Sequence, residues 1–130
     1  MTPSPDTDST RRQQIVDSLR LKESRDAFVD AEIRTTVPFQ IREMRKDRKW
    51  TQEELATRID SCQPTVDMFE DPDYATFTVA SLKRLASAFD VALVVRFVPF
   101  SELVDDAVHP KTLAVPSYSD TEQDLKGQPT

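Results

Sequence analysis

The sequence predicts a mainly α-helical fold with one C-terminal strand. Between residues 11 and 90, apolar residues recur at the three- and four-residue intervals of amphipathic helices. Glycine, which interrupts helices, occurs once, at Gly127. One run, Val91–Val98, is instead rich in β-branched residues, contains no Gly or Pro and is followed by Pro99, which is typical of a strand.

Length and composition indicate a small globular protein. The 130 residues suffice for one domain with a core, and 38% of them are apolar. No stretch approaches the ~20 continuous apolar residues of a membrane span, and the polar start MTPSPDTDST lacks the apolar core of a signal peptide. We therefore expect a cytoplasmic protein with no membrane partner. A single cysteine, Cys62, excludes an internal disulfide framework and a thiolate zinc site.

The charge distribution is uneven. The net charge of −6 is unfavourable for binding nucleic acid, because that affinity comes mostly from neutralised phosphates. Arg42–Lys49 nevertheless holds five basic and two acidic residues, whereas Ser101–Thr130 holds six acidic and two basic ones. Residues 38–90 carry eight basic and ten acidic residues, so this region is not basic as a whole.

Composition and periodicity divide the chain into five parts. We expect a disordered start because it is polar and proline-bearing, and a disordered, acidic tail. Between them we expect a helical extension, a compact helical domain, and a strand with a short helix over Ser101–Asp106. The boundaries are 1–10, 11–36, 37–90, 91–106 and 107–130.

Local signals define four helices in the central domain. Pro38 is expected to open the first, because its missing N–H costs nothing in a first turn. Thr51 and Glu54 have the spacing of a capping box, which starts the second. The third is expected over Gln63–Phe69 with Pro64 in its first turn, and Thr78 is expected to cap the fourth.

The strand needs a partner, because a lone strand cannot satisfy its own backbone. The sequence contains no second strong strand. Two alternatives stay open: Val91–Val98 packs on its own domain, or it pairs with the same run of another copy and forms a homodimer.

The central residues carry an ordered set of motifs that resembles the Cro/phage-repressor helix-turn-helix family, also called XRE-like regulators. The resemblance implies a lambda-repressor-like DNA-binding domain with extra N-terminal helices. It rests on two short helices with a tight turn between them, and it continues into Leu82–Ala86 and Phe89–Val91. The matching residues are Arg45, Trp50, Thr51, Gln52, Glu54, Leu55, Ala56, Ile59, Gln63, Val66, Phe69 and Glu70.

The resemblance also implies roles for individual residues. Gln52 would hydrogen-bond a phosphate at a helix N-terminus, and Gln63 would read a base, since a Gln amide can pair twice with adenine. Arg45 and Glu70 would form a partly buried structural ion pair. The remaining DNA-contact candidates are two basic residues near the phosphates and three residues of the recognition helix: Arg42, Lys49, Pro64, Thr65 and Met68.

The sequence departs from the family pattern at the turns and on the recognition helix. Lys49 and Asp60 stand where glycine is usual, and Asp tolerates left-handed dihedrals better than most residues. Pro64 and Met68 stand where polar readers are common. Asp67 places a carboxylate near the groove, where it repels phosphate unless it accepts a hydrogen bond from a cytosine amine. The loop that follows Glu70 is acidic.

We therefore expect a sequence-specific regulator of transcription, a repressor of bacterial or phage type. Two copies would bind double-stranded DNA at half-sites about 34 Å apart. One alternative is an antitoxin that represses its own operon and binds a toxin protein; another is a protein-interaction module on a degenerate helix-turn-helix scaffold. We expect no enzyme, cofactor or metal site, because there is no Gly-rich phosphate loop, nucleophile–base pair or ligand cluster. His109 has no partner spaced for catalysis or zinc.

Overall fold

The computed structural model describes residues 5–74, 76–111 and 113–126, and these residues form seven helices. The prediction of a mainly helical fold is confirmed. The chain divides into two units, residues 1–33 with 95–111 and residues 34–94 with 112–130. The helices are α1 (Pro5–Ser18), α2 (Lys22–Asp47), α3 (Gln52–Arg58), α4 (Gln63–Phe69), α5 (Val79–Phe89), α6 (Phe100–Val108) and α7 (Tyr118–Lys126).

The first unit is built on contact between α1 and α6. The inner face of α6 is apolar and buries Val104, Ala107 and Val108. An ion pair between the side chains of Arg12 and Asp105 links the two helices at the surface. Burial of these apolar side chains supplies the main stabilisation here, since exposed ion pairs contribute little.

The second unit contains the central helices and the larger core. The end of α2 packs with α3, α4 and α5 around side chains that are almost fully buried. α3 and α4 lie against each other, as two helices joined by a short turn must. The core residues are Ile41, Met44, Leu55, Ala56, Ile59, Val66, Phe69, Leu85 and Phe89.

Helices α3 and α5 begin directly after Thr51 and Thr78, the residues that the sequence predicts to cap them. The Thr51 hydroxyl accepts a hydrogen bond from the Glu54 amide at 3.1 Å, and the Glu54 carboxylate accepts one from the Thr51 amide at 3.3 Å. Thr78 forms the same reciprocal arrangement with Ser81. Each box satisfies two amides that a helix start leaves without a partner.

Three helices of this unit end at a residue with left-handed backbone dihedrals. These residues are Lys49, Asp60 and Asp90, with φ values of 60°, 53° and 58°. In each case the following amide bonds back five residues, for example Ser61 N to Ala56 O at 2.8 Å. This is the Schellman motif, in which glycine is the usual left-handed residue. The chain stops these helices at residues that carry a Cβ.

The prediction that Pro38 opens a helix is wrong. α2 runs from Lys22 through Pro38 to Asp47 without interruption. A proline inside a helix removes one hydrogen bond and crowds the preceding turn. The Pro38 ring is fully buried, and this apolar burial offsets the local cost.

The structure has helices near both ends of the chain, where the sequence predicts disorder. Residues 5–10 belong to α1, while residues 1–4 lie outside the described residues. Pro5 suits the first position of a helix because its missing N–H needs no partner there. In the tail, α6 continues to Val108, and α7 covers Tyr118–Lys126. Val115 packs against the core of the second unit, which sequence periodicity does not reveal.

The predicted C-terminal strand is not found among the described residues. Residues 92–98 are neither helix nor strand, and none of their backbone groups bonds to another backbone group within the described chain. A strand exists only beside a second strand, and the described part of the chain supplies none. The predicted short helix that follows is present and longer than expected, as α6.

Candidate nucleic-acid interface

Helix α4 presents an accessible outer face. Val66 and Phe69 point into the core and anchor the helix, whereas Pro64, Asp67 and Met68 are exposed. Gln63 and Thr65 are half-buried. Because its inner side is fixed by packing, α4 can hold its outer side chains in a defined geometry. Such a face is what a helix needs to contact base edges in a major groove.

Gln63 and Gln52 are joined by their side-chain amides. Nε2 of Gln63 donates to Oε1 of Gln52 at 2.6 Å. Nε2 of Gln52 in turn donates to Oδ1 of Asp67 at 3.2 Å, with a longer contact to Oε1 of Glu70. The two glutamines expected to contact DNA are therefore brought together, and an acidic residue of α4 accepts from one of them.

Arg45 and Glu70 form a two-pronged ion pair. Nε and Nη2 of Arg45 donate to the two carboxylate oxygens of Glu70 at 2.6 and 3.0 Å, and their side chains are 13% and 5% exposed. Nη1 of Arg45 also donates to the Trp50 carbonyl at 2.8 Å. The hydrogen bond and the charge of Glu70 raise the pKa of Arg45, against the lowering effect of burial. The pair ties α2 to the end of α4.

A polar groove lies beside this pair, with a volume of about 400 Å³. It brings Arg42 and Gln52, both expected to contact phosphate, to the same surface. The same groove also carries carboxylates. Its two arginines attract an approaching phosphate, whereas its three acidic residues repel it. Its lining residues are Arg42, Arg45, Gln52, Asp67, Glu70, Asp71 and Pro72.

The remaining predicted contacts lie elsewhere in this unit. Lys49 is exposed at the left-handed end of α2 and does not line the groove. The Thr65 hydroxyl contacts Sγ of Cys62 at 3.3 Å. Hydrogen bonds from Thr65 are the main cause of a lowered pKa of the exposed Cys62 thiol. Pro64 and Met68 occupy the outer face of α4, as expected.

Asp71 and Pro72 line the groove just after α4, and no sequence pattern predicted this role. An aromatic cluster in the same unit was not predicted either. The Trp50 and Phe89 rings stack at 5.7 Å, and the guanidinium carbon of Arg58 lies 4.0 Å from the centroid of the Trp50 ring. Arg48 donates to the carbonyls of Phe89 and Val115. No short-range pattern marks these contacts, because they join distant residues.

The family model described as "Helix-turn-helix" matches residues 41–95. This range contains the Arg45–Glu70 pair, the Gln52–Gln63 contact and the exposed face of α4. Residues 41–95 therefore form a helix-turn-helix domain of the Cro/phage-repressor (XRE-like) type, a family of DNA-binding transcription regulators. Neither a search of curated proteins nor one of solved structures found a match.

Among the described helices, none combines the length and the apolar composition of a membrane span. Within the part of the chain that the structure describes, no group of three or more His, Cys, Asp or Glu side chains is arranged to hold a metal ion.

Proposed function

We propose that the protein is a sequence-specific, homodimeric DNA-binding repressor of transcription whose recognition helix is α4. The observation that carries the proposal is the exposed outer face of α4, with Gln63 at its start held by Gln52 at 2.6 Å. Packing of Val66 and Phe69 fixes the helix that presents these groups. The family of the domain adds to this support, because its members regulate transcription by binding DNA.

The side chains divide into base-contacting and phosphate-contacting groups. Gln63 can offer its carbonyl and amide to the N6 and N7 edge of adenine, and Met68 can touch a thymine methyl. Arg42 and Gln52 line one groove and can donate to a phosphate, while exposed Lys49 adds a positive charge to the same domain. Phosphate contacts would set the position of the domain, and α4 would supply the discrimination.

The charges at the groove predict that each copy of the protein binds DNA with modest affinity. Glu70 is neutralised by Arg45, but Asp67 and Asp71 leave negative charge at the groove. Two copies on one palindromic site would compensate, because the second contact becomes intramolecular. A homodimer reading half-sites one DNA turn apart is therefore part of the proposal.

Selection from random duplex DNA tests the proposed function. We expect the purified wild-type protein to enrich a palindrome. Titration of that site should show Gln63→Ala weakening specific binding by roughly 1–3 kcal/mol while sparing non-specific binding. Gln123→Ala, an exposed glutamine of α7, is the matched control and should bind like the wild type. An equal loss on all sequences would refute the base-reading role of Gln63.

One observation favours a second function, a protein-interaction module. The Nε2 group of Gln52 already donates to Asp67, so the expected phosphate donor is engaged by an acidic residue. Salt dependence separates the two functions, because DNA affinity falls steeply as salt rises. Enrichment of no sequence together with salt-insensitive binding of a protein would favour the module.

An antitoxin that represses its own operon would use the same DNA contact and would add a toxin partner. Selection of an operator supports both the repressor and the antitoxin. Only a complex with a separately expressed toxin, measured with purified components, would distinguish the antitoxin.

A further inference from the structure

Residues 113–118, Leu-Ala-Val-Pro-Ser-Tyr, belong to the second unit, although residues 95–111 before them belong to the first. We call these residues the 113–118 segment. Four of them are half-buried, and Val115 packs against the core of the second unit. The segment therefore covers part of a helical domain whose last helix, α5, ends well before it in the sequence.

The segment completes the hydrogen bonding at the end of α5. The last carbonyls of a helix have no partner within that helix. The Phe89 carbonyl accepts a hydrogen bond from Nη2 of Arg48 at 2.9 Å. The carbonyl of Asp90, the next residue, accepts one from the Tyr118 amide at 2.8 Å. The backbone of the segment thus satisfies a polar group that the domain alone leaves open.

Arg48 joins the segment to the domain. Its Nη2 also donates to the Val115 carbonyl at 3.2 Å, and its Nη1 donates to the Met44 carbonyl at 3.1 Å. Its guanidinium carbon lies 5.1 Å from the centroid of the Phe89 ring and 6.0 Å from that of Trp50. Because α2 and two aromatic rings hold the guanidinium, it is a preformed, charged donor for one carbonyl of an extended peptide.

We propose that the ends of α2 and α5 form a peptide-binding site, and that the 113–118 segment is its intramolecular ligand. The class of ligand is an extended peptide with a branched apolar residue directly before a proline. Pro116 favours an extended conformation of Val115, which leaves the Val115 carbonyl free to accept from the site. Both hydrogen bonds use backbone atoms of the ligand, and the Val115 side chain adds the apolar contact. The inference goes beyond the proposed function and does not depend on it.

The segment is held by few interactions, so it can leave the site and return. Among the described residues, its backbone makes two hydrogen bonds to the α2 and α5 ends, and Val115 supplies the packing on the core. Helix α7, which follows, has no buried residue from Tyr118 to Lys126. A part with so few buried contacts opens more readily than the whole domain unfolds. An open site can then bind the same peptide from solution.

Binding of a labelled synthetic peptide, residues 113–126, to the full-length protein tests the proposal. The host is full-length Val115→Lys, whose own segment loses its apolar contact and places a second positive charge beside Arg48. Circular dichroism checks that the host is folded. The host should bind the peptide about tenfold more tightly than wild type, in which the tethered segment competes at high effective concentration. Equal affinity of the two proteins, or no binding to the host, would overturn the proposal.

Substitutions in the peptide test the contacts without changing the protein. Tyr118→Pro removes the amide that donates to Asp90 and suits the first position of α7, so it should weaken binding to the host roughly fivefold. Leu125→Ala changes a 67% exposed residue of α7 and is the matched control, which should bind like the native peptide. Equal affinity of all three peptides would contradict the assigned hydrogen bond.

The site itself is tested by Arg48→Met in the same host, which removes the donor to the ligand carbonyl. This change should weaken peptide binding about tenfold, as expected for a charged donor, whereas Lys46→Met, an exposed residue of α2, should not. Trp50 is the single tryptophan of the chain, and the peptide contains none, so tryptophan fluorescence reports binding without a label. Unchanged affinity of the Arg48→Met host would overturn the assignment of the site.

Hydrogen exchange in the wild-type protein tests the release of the segment without any peptide. The Tyr118 amide should exchange more slowly than in the free peptide, because Asp90 accepts its hydrogen bond. It should exchange more rapidly than the amide of Leu85, a buried residue of α5, because the segment opens while the domain stays folded. Equal protection of Tyr118 and Leu85 would overturn the proposal, since the segment would then open only when the domain unfolds.

Discussion

Gln63 and Gln52 hold each other through their side chains, with Nε2 of Gln63 donating to Oε1 of Gln52 at 2.6 Å. One residue starts the proposed recognition helix and the other starts the helix before it. Their contact therefore couples the proposed base-reading group to the proposed phosphate-binding group. Fixing the Gln63 amide before DNA arrives lowers the entropy that binding must remove.

The first prediction is that Gln52 and Gln63 act together. Gln52→Ala should weaken binding to all DNA sequences, because it removes the proposed phosphate donor. It should also reduce the effect of Gln63→Ala on the selected operator, since Gln63 is then no longer held. Titrating wild type, both single variants and the double variant should give a coupling free energy of roughly 0.5–3 kcal/mol. Additive effects would contradict the coupling.

The Arg45–Glu70 pair leads to a prediction about stability. Arg45→Ala should lower the free energy of unfolding by about 3–5 kcal/mol, because it leaves the buried Glu70 carboxylate without its partner. An Arg45→Met, Glu70→Leu double variant should recover most of that loss. Urea denaturation measures both. Lys22→Ala, which breaks the exposed pair with Asp26, serves as the control and should change stability by less than about 0.5 kcal/mol.

Glycine should stabilise the left-handed helix end at Lys49. Its φ of 60° is costly for a residue with a Cβ, so Lys49→Gly should raise the free energy of unfolding by up to about 1 kcal/mol. Lys46→Gly, three residues earlier inside α2, should lower it by about 1 kcal/mol. Thermal and urea unfolding of the two variants compare the effects. A destabilised Lys49→Gly variant would argue against left-handed strain there.

The Cys62 thiol should react at lower pH than an ordinary thiol. Hydrogen bonds from Thr65 favour the thiolate and lower its pKa, so at any pH below that pKa a larger fraction is nucleophilic. The pH midpoint of alkylation by iodoacetamide should lie below that of a cysteine in an unfolded peptide. Thr65→Val should move the midpoint upward. An unchanged midpoint would show that Thr65 does not tune the thiol.

The effect of Asp67 on DNA binding distinguishes two roles for its carboxylate, repulsion of phosphate and reading of a base. Its exposed carboxylate lines the groove and accepts from Gln52, so it opposes an approaching phosphate. Asp67→Asn should tighten binding to all duplexes at low salt by about 1 kcal/mol, roughly a factor of five. Asp106→Asn, an exposed carboxylate of α6, should have a smaller effect. Weaker binding confined to sites with one particular C·G pair would instead assign base reading to Asp67.

The sequence was sufficient where the controlling interactions are local. Thr51 and Glu54 lie three residues apart and define the start of α3 by themselves, and Gln63–Phe69 is the predicted extent of α4. Lys49 and Asp60 were recognised as replacements for turn glycines, and both have positive φ. Each of these features depends on residues within one or two helical turns.

The tertiary structure decided what depends on distant residues. Burial of Pro38 keeps it inside α2, and Val115 packs on the core although the composition of the tail predicts no such contact. The absence of a neighbouring strand leaves residues 92–98 unpaired in the described chain, despite their strong local propensity. The engagement of Gln52 by Asp67 joins residues fifteen positions apart. Local sequence sets which conformations a segment favours, whereas long-range burial and hydrogen bonding select among them.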